Sequence, residues 1–215
     1  WEVVQDQAGQ SERKGKMLAE RRLPRGTTDL QGLAVLDFYQ MEDAGVIDKI
    51  DYSKLKNASN LLPSMKYDNG VAHIYSAKVG VYNPKIITTA PKSYKEIFDP
   101  KHGNKLGIID IQYQWVMVAA ALAAGGSVSN IEAGKALLLE CKKAGMRLYP
   151  TNEAFAQGLK TDETSIGVMW KARVVQWQNA NISVQAITPS EGALAYVSGF
   201  VVPKNAPNKD GGYAY

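Results

Sequence analysis

Two histidines, one cysteine and a few adjacent carboxylates are the residues of this 215-residue chain that could make or break bonds. A hydrolytic triad needs a base that accepts a proton near neutral pH, normally histidine. His73 falls in an alternating, strand-like run and His102 in a turn between Pro100 and Gly103, and no Gly-x-Ser-x-Gly elbow occurs. Both are read as structural or solvent-facing. Gly125–Gly126–Ser127 lacks the lysine of a phosphate loop and closes a helix, where the dipole repels anions. There is no dinucleotide fingerprint. The pairs Glu42–Asp43 and Asp162–Glu163 have no His or Cys at ligand spacing, so no metal site is expected. Cys141 falls on the apolar face of a helix and reads as a small hydrophobe. As the sole cysteine it excludes an intramolecular disulfide and a multi-thiolate site. Neither an enzyme nor a cofactor is expected.

What remains is a set of polar and aromatic residues where strands end. Ligands of open α/β sheets bind there, beyond the carboxyl edge, where helix N-termini offer free N–H groups. Three places stand out: His73–Ser76, which interrupts a long strand; Asp110–Trp115, which joins the strand LGIID to a buried helix; and Met169–Arg173, which follows the strand SIGVM. Each also has a plain structural reading. Trp115 and Tyr75 would then be core, Lys171 and Arg173 a solvated first turn, and Asp110 a helix cap. All three follow strands in the same sense, which favours a binding role.

The elements that must position them alternate as in an α/β protein. Strands are predicted at 2–5, 30–36, 71–81, 106–110, 146–149, 165–170, 182–187 and 197–202. Helices are predicted at 11–22, 37–44, 112–124, 152–159 and 172–179. Two more open on the capping boxes Ser93–Tyr–Lys–Glu96 and Ser129–Asn–Ile–Glu132. Gly45 stands where a left-handed helix terminator belongs. The order suggests a mostly parallel sheet with helices on both faces.

Composition is that of an ordinary globular protein, with 45% hydrophobic and 21% charged residues. The longest apolar stretch, Trp115 to Ala124, is far short of the ~20 residues that span a bilayer, so membrane insertion is not expected. The net charge of +4 is scattered over short patches at Arg13–Lys16, Arg21–Arg25 and Lys204–Lys209, which argues against a nucleic-acid partner. No basic-then-apolar leader opens the chain, so an export signal is expected to be removed or absent.

The segments DAGVIDKIDYSKLKN (43–57), VGVYNPK (79–85), APKSYKEIFDPKHGNKLGIID (90–110), SIGVMW (165–170) and ITPSEGALAYVSGFVVPKNAPNKDGGYAY (187–215) carry a resemblance. In this order, over nearly the whole chain, they resemble the extracytoplasmic, periplasmic solute-binding proteins of ABC importers. The branch is the two-lobed one of the polyamine, iron and thiamine binders.

The resemblance implies a type II periplasmic-binding-protein-like fold of two α/β lobes joined by crossing strands. Lobe 1 would hold residues 1–75, lobe 2 residues 76–195, and the chain would return to lobe 1 over 196–215. Such proteins begin with a further strand and end with further helices, so the chain is expected to be incomplete at both ends. By the same likeness Ala34, Val35, Tyr75, Ser76, Tyr196 and Ser198 would line the inter-lobe cleft. Asp110, Gln112, Tyr113, Gln114, Trp170, Lys171 and Arg173 would meet them from lobe 2. A monomer is expected to capture a small polar solute in the periplasm and deliver it to a membrane permease.

Polyamine binders usually carry an acid where this chain has Ser198 and another near Gln114. Lys171 and Arg173 at a helix start favour a carboxylate or phosphonate. An anionic or zwitterionic solute therefore ranks first, then a polyamine, then ferric iron. Two other classes are the ligand-sensing domain of a transcription regulator and a porphobilinogen deaminase-like transferase. The first would trail a helix-turn-helix, and the second would need a cofactor-bearing cysteine in the cleft, where Cys141 is badly placed.

Overall fold

The computed structural model describes residues 2–111 and 113–215. In chain order its elements are α1 (Gln10–Glu20), β1 (Gln31–Ala34), α2 (Val35–Asp43), β2 (Lys66–Tyr67), β3 (Gly70–Tyr82), α3 (Tyr94–Ile97), β4 (Leu106–Ile109), α4 (Tyr113–Ala123) and α5 (Glu132–Lys143). They continue with β5 (Arg147–Tyr149), α6 (Asn152–Lys160), β6 (Ile166–Trp170), α7 (Lys171–Asn179), β7 (Gln185–Ile187), β8 (Leu194–Val201) and α8 (Lys209–Ala214). The chain forms two compact units: Trp1–Tyr75 with Tyr196–Tyr215, and Ser76–Ala195. It passes between them twice, within β3 and within β8.

In the first unit β1 pairs antiparallel with β8, in the register Gln31↔Val201 through Ala34↔Ser198. Met17 of α1 and Phe38 and Met41 of α2 bury against Leu33, Val46, Ile47 and Val201. The two helices are also tied by charge. Asp37 is buried and accepts from Lys14 Nζ at 2.8 Å and from Gln10 Nε2. Gly45 ends α2 at φ +69°, a conformation that costs glycine little.

The second unit is built on β6, β4 and β5, which run parallel, with β3 and β7 added antiparallel. Consecutive residues of β4 and β6 are buried on opposite faces, which explains their unbroken apolar runs. Ile109 and Met169 join Phe155 and Leu159 of α6 and Val174 and Trp177 of α7. Ile108 and Val168 join Tyr94 and Ile97 of α3, Val116 and Ala120 of α4, and Cys141 of α5. Gly167 allows β6 to lie close to β4, because a Cβ there would stand 2.1 Å from the carbonyl oxygen of Gly107.

Several expectations need correcting. Among the described residues the sheet pairings are parallel only among β4, β5 and β6. β2, β6 and β7 pair antiparallel with the long strand β3, and β1 pairs antiparallel with β8. Residues 2–5 form no strand and are exposed. Strand β1 ends at Ala34 and helix α2 starts at Val35, two residues earlier than the predicted change at 36 and 37. The Ser93 box forms half as expected: its Oγ accepts from Glu96 N, while Glu96 Oε2 accepts from Lys92 N. The Ser129 box does not form. Ser129 Oγ pairs with Ser127 Oγ, and α5 starts without a side-chain cap.

Candidate functional site

Parallel strands bring their carboxyl ends to one edge. In the second unit Leu106 and Gly107 of β4 lie beside Ile166 and Gly167 of β6, so the residues that follow both strands stand at the same edge. Asp110 is exposed, and its N–H donates to Tyr149 O at 3.1 Å. Tyr113 and Gln114 open α4 and are exposed, Tyr113 by 57%. Gln112 lies outside the described residues. After β6 the chain turns straight into α7, with Trp170 as its N-cap and no side chain capping its first turn. Lys171 is exposed. Arg173 Nη1 donates to Gln176 Oε1 at 3.0 Å and lies 3.9 Å from Glu153 Oε1.

Two indoles meet at this edge. The rings of Trp115 and Trp170 lie 5.8 Å apart at 75°, an edge-to-face pair, and Trp115 Nε1 donates to Ala195 O at 3.0 Å. Ala195 is the last residue of this unit before the chain leaves it. Ser76, the first, is half-buried.

Beside the indoles lies a residue that sequence reasoning missed. Lys78 of β3 is directly opposite Trp170 in the antiparallel register, which places both side chains on one face. Its Nζ stands 4.8 Å from the centre of the Trp170 ring. The side chain is fully buried, and Nζ has no hydrogen-bond partner among the described residues. Burial alone lowers its pKa to about 7. A cation–π contact is worth ~2 kcal/mol when desolvated, whereas burying an unpaired ammonium costs several. The sequence signal is a lysine inside the apolar stretch AKVGV. Strand alternation alone reads such a residue as outward-facing.

The first unit holds the other candidates. Ala34 and Ser198 are Cα partners across β1 and β8, and both are buried. Tyr75 is 67% exposed, and Tyr196 is half-buried.

The residues considered for bond chemistry are otherwise engaged. His73 stacks on Phe200 with centroids 4.5 Å apart, and burial lowers its pKa. His102 Nε2 lies 2.8 Å from Glu96 O. Cys141 Sγ donates to Phe98 O at 3.2 Å, and burial pushes its pKa up to about 11, which keeps it a thiol. Among the described residues no cluster of three His, Cys, Asp or Glu could hold a metal, and no helix is long and apolar enough to cross a membrane.

Comparison with known proteins decides the family. The family described as bacterial extracellular solute-binding protein matches residues 1–215. The chain belongs to that family. It is 27% identical over 186 residues to the spermidine/putrescine-binding periplasmic protein of Escherichia coli K12, covering 80% of this chain and 52% of the relative. The chain thus spans about half the length of the curated relatives it matches. Among solved structures, an ABC transporter protein from Clostridium perfringens superposes with a TM-score of 0.80 at 27% identity, over 99% of this chain and 69% of that one. AgtB from A. tumefaciens R10, solved with agropinic acid, gives a TM-score of 0.75 at 17% identity, over 93% of this chain and 63% of that one. The fold is that of type II periplasmic binding proteins, as the resemblance implied.

Proposed function

We propose that the protein is the extracytoplasmic solute-binding component of an ABC importer. It captures a small polar organic solute, hands it intact to a membrane permease, and performs no covalent chemistry. The observation that carries this reading is the cluster of indoles and polar groups beyond the carboxyl ends of β4 and β6, in a chain of the solute-binding family. Each part has a role. The indole faces cover an aliphatic stem or a ring. Asp110, Tyr113 and Gln114 supply hydrogen bonds, and the uncapped first turn of α7 supplies N–H donors. The two compact units serve as the lobes, with the chain passages at Tyr75–Ser76 and Ala195–Tyr196 as the places where movement concentrates. A solute shifts such a pair only by binding one arrangement better than the other, so polar groups from both units are expected to touch it. Ala34, Tyr75, Tyr196 and Ser198 are assigned that part in the first unit, and Ser76 in the second.

A second reading, a polyamine as the solute, is favoured by the printed name of the Escherichia coli relative. Indole faces attract ammonium groups, and Asp110 offers one acid to pair with an amine.

The test is a thermal-shift screen of the full-length protein against polyamines, opines, phosphonates, amino acids, thiamine and ferric iron. A true solute at ~100 times its dissociation constant adds roughly 2.7 kcal/mol of stability. Silence across the screen would remove the transport reading.

A further inference from the structure

Lys78 is poorly explained as a structural residue. Lysine normally buries its stem and keeps its ammonium in water. Here the whole side chain is buried, Nζ lacks a hydrogen-bond partner among the described residues, and the nearby attraction is the Trp170 face. Methionine would fill the same volume without the desolvation cost. The attraction of the Trp170 face falls short of what burying the ammonium costs, which implies a counter-group supplied from outside the fold.

The neighbouring backbone points to the same sign of charge. Trp170, the register partner of Lys78, is the N-cap of α7, a nine-residue helix whose first turn has no side-chain cap. Free N–H groups and the positive end of the helix dipole favour an anion there. Lys171 adds a further cation to that turn, and no acidic side chain lies in it. An ammonium group of a solute would meet Lys78, Lys171 and the helix dipole with the wrong sign.

We propose that Lys78 and the uncapped start of α7 form a seat for a carboxylate or phosphonate of the solute, with the Trp170 ring against the carbon that bears it. This deepens the solute-binding reading and rests on it. It selects organic acids and zwitterions over polyamines. Asp110 and Tyr113, at the same edge, are left for the uncharged or cationic end of the molecule.

The experiment takes each solute that stabilises the full-length protein in the screen and titrates it calorimetrically into wild type and Lys78→Met. Matched four-carbon probes, 4-aminobutyrate and putrescine, are included in every series. The expected result is binding of an anion-bearing solute, with Lys78→Met weakening it by about 30-fold, the size of one lost charge-assisted contact. The variant should melt no lower than wild type. At pH 8 wild-type binding should also take up close to one proton, which Lys78→Met should not. The ammonium is largely deprotonated there through burial alone, and an incoming anion would restore its charge. The Trp170 ring of β6 faces the ammonium, and the Tyr94 hydroxyl of α3 donates to the backbone carbonyl of Lys78 at 3.3 Å. Hits confined to cations, or unchanged affinity in Lys78→Met, would overturn the anion seat and leave solute binding intact. A screen without any hit would overturn both.

Discussion

Lysine ordinarily titrates near 10.5, and Lys78 does so at about 7, which ties the stability of the second unit to pH. Between those values the unfolded chain holds one proton more than the folded one. The penalty is therefore complete below pH 7 and is relieved as pH rises, by up to about 1.4 kcal/mol per unit. Cys141 at about 11 and Tyr94 at about 12 act in the opposite direction, because the unfolded chain loses those protons first. Their effect starts near pH 9, so the window for Lys78 is pH 7 to 9. In urea melts Lys78→Met should exceed wild type at pH 7, and its advantage should shrink steadily towards pH 9. A constant difference would mean that the ammonium stays charged or finds water. At this scale the sequence was readable for Cys141, read as a small hydrophobe and buried with residues of α3 and α4. Its thiol donates to the Phe98 carbonyl. Lys78 escaped notice because its meaning depends on Trp170, which is far away in sequence and opposite only once β3 and β6 pair.

Elements followed local pattern where local pattern suffices. Helix α6 begins where a threonine can cap it, and Thr151 Oγ1 accepts from Ala154 N at 3.0 Å. The unbroken apolar runs of β4 and β6 gave strands buried on both faces, as in any sheet covered by helices on both sides. Pairing sense was not legible, because alternation and apolar content look alike whichever way a neighbour runs. The parallel trio nevertheless has a clear weak point at Gly167. An alanine there would drive its methyl into the Gly107 carbonyl and force β4 and β6 apart. Gly167→Ala should cost about 3 kcal/mol or more in denaturant unfolding, beyond the ordinary cost of overpacking. Near-wild-type stability would show that the two strands have slack that the geometry denies.

For the molecule as a whole, the ordered resemblance anticipated the fold class, which composition and periodicity alone could not have done. The two units also differ in how the chain builds them. The second is one continuous stretch, 76–195, whereas the first needs segments from both ends of the chain. Its strand β1 pairs with β8, so Gln31 must find Val201. Closing so long a loop is entropically costly and slow. Pulse-labelled hydrogen exchange during refolding should protect amides of β4 and β6 well before those of β1. Simultaneous protection would mean that β1 gains an earlier partner.

That order of assembly reaches into synthesis. A ribosome making this chain from its N-terminus completes the second unit while β1 still waits, its hydrogen-bonding edge open to any strand it meets. Residues 194–201 therefore act as a late clasp. A gene product cut short just after Ala195 should clump through the unclosed first unit, even though the portion holding both indoles and Lys78 has already taken shape.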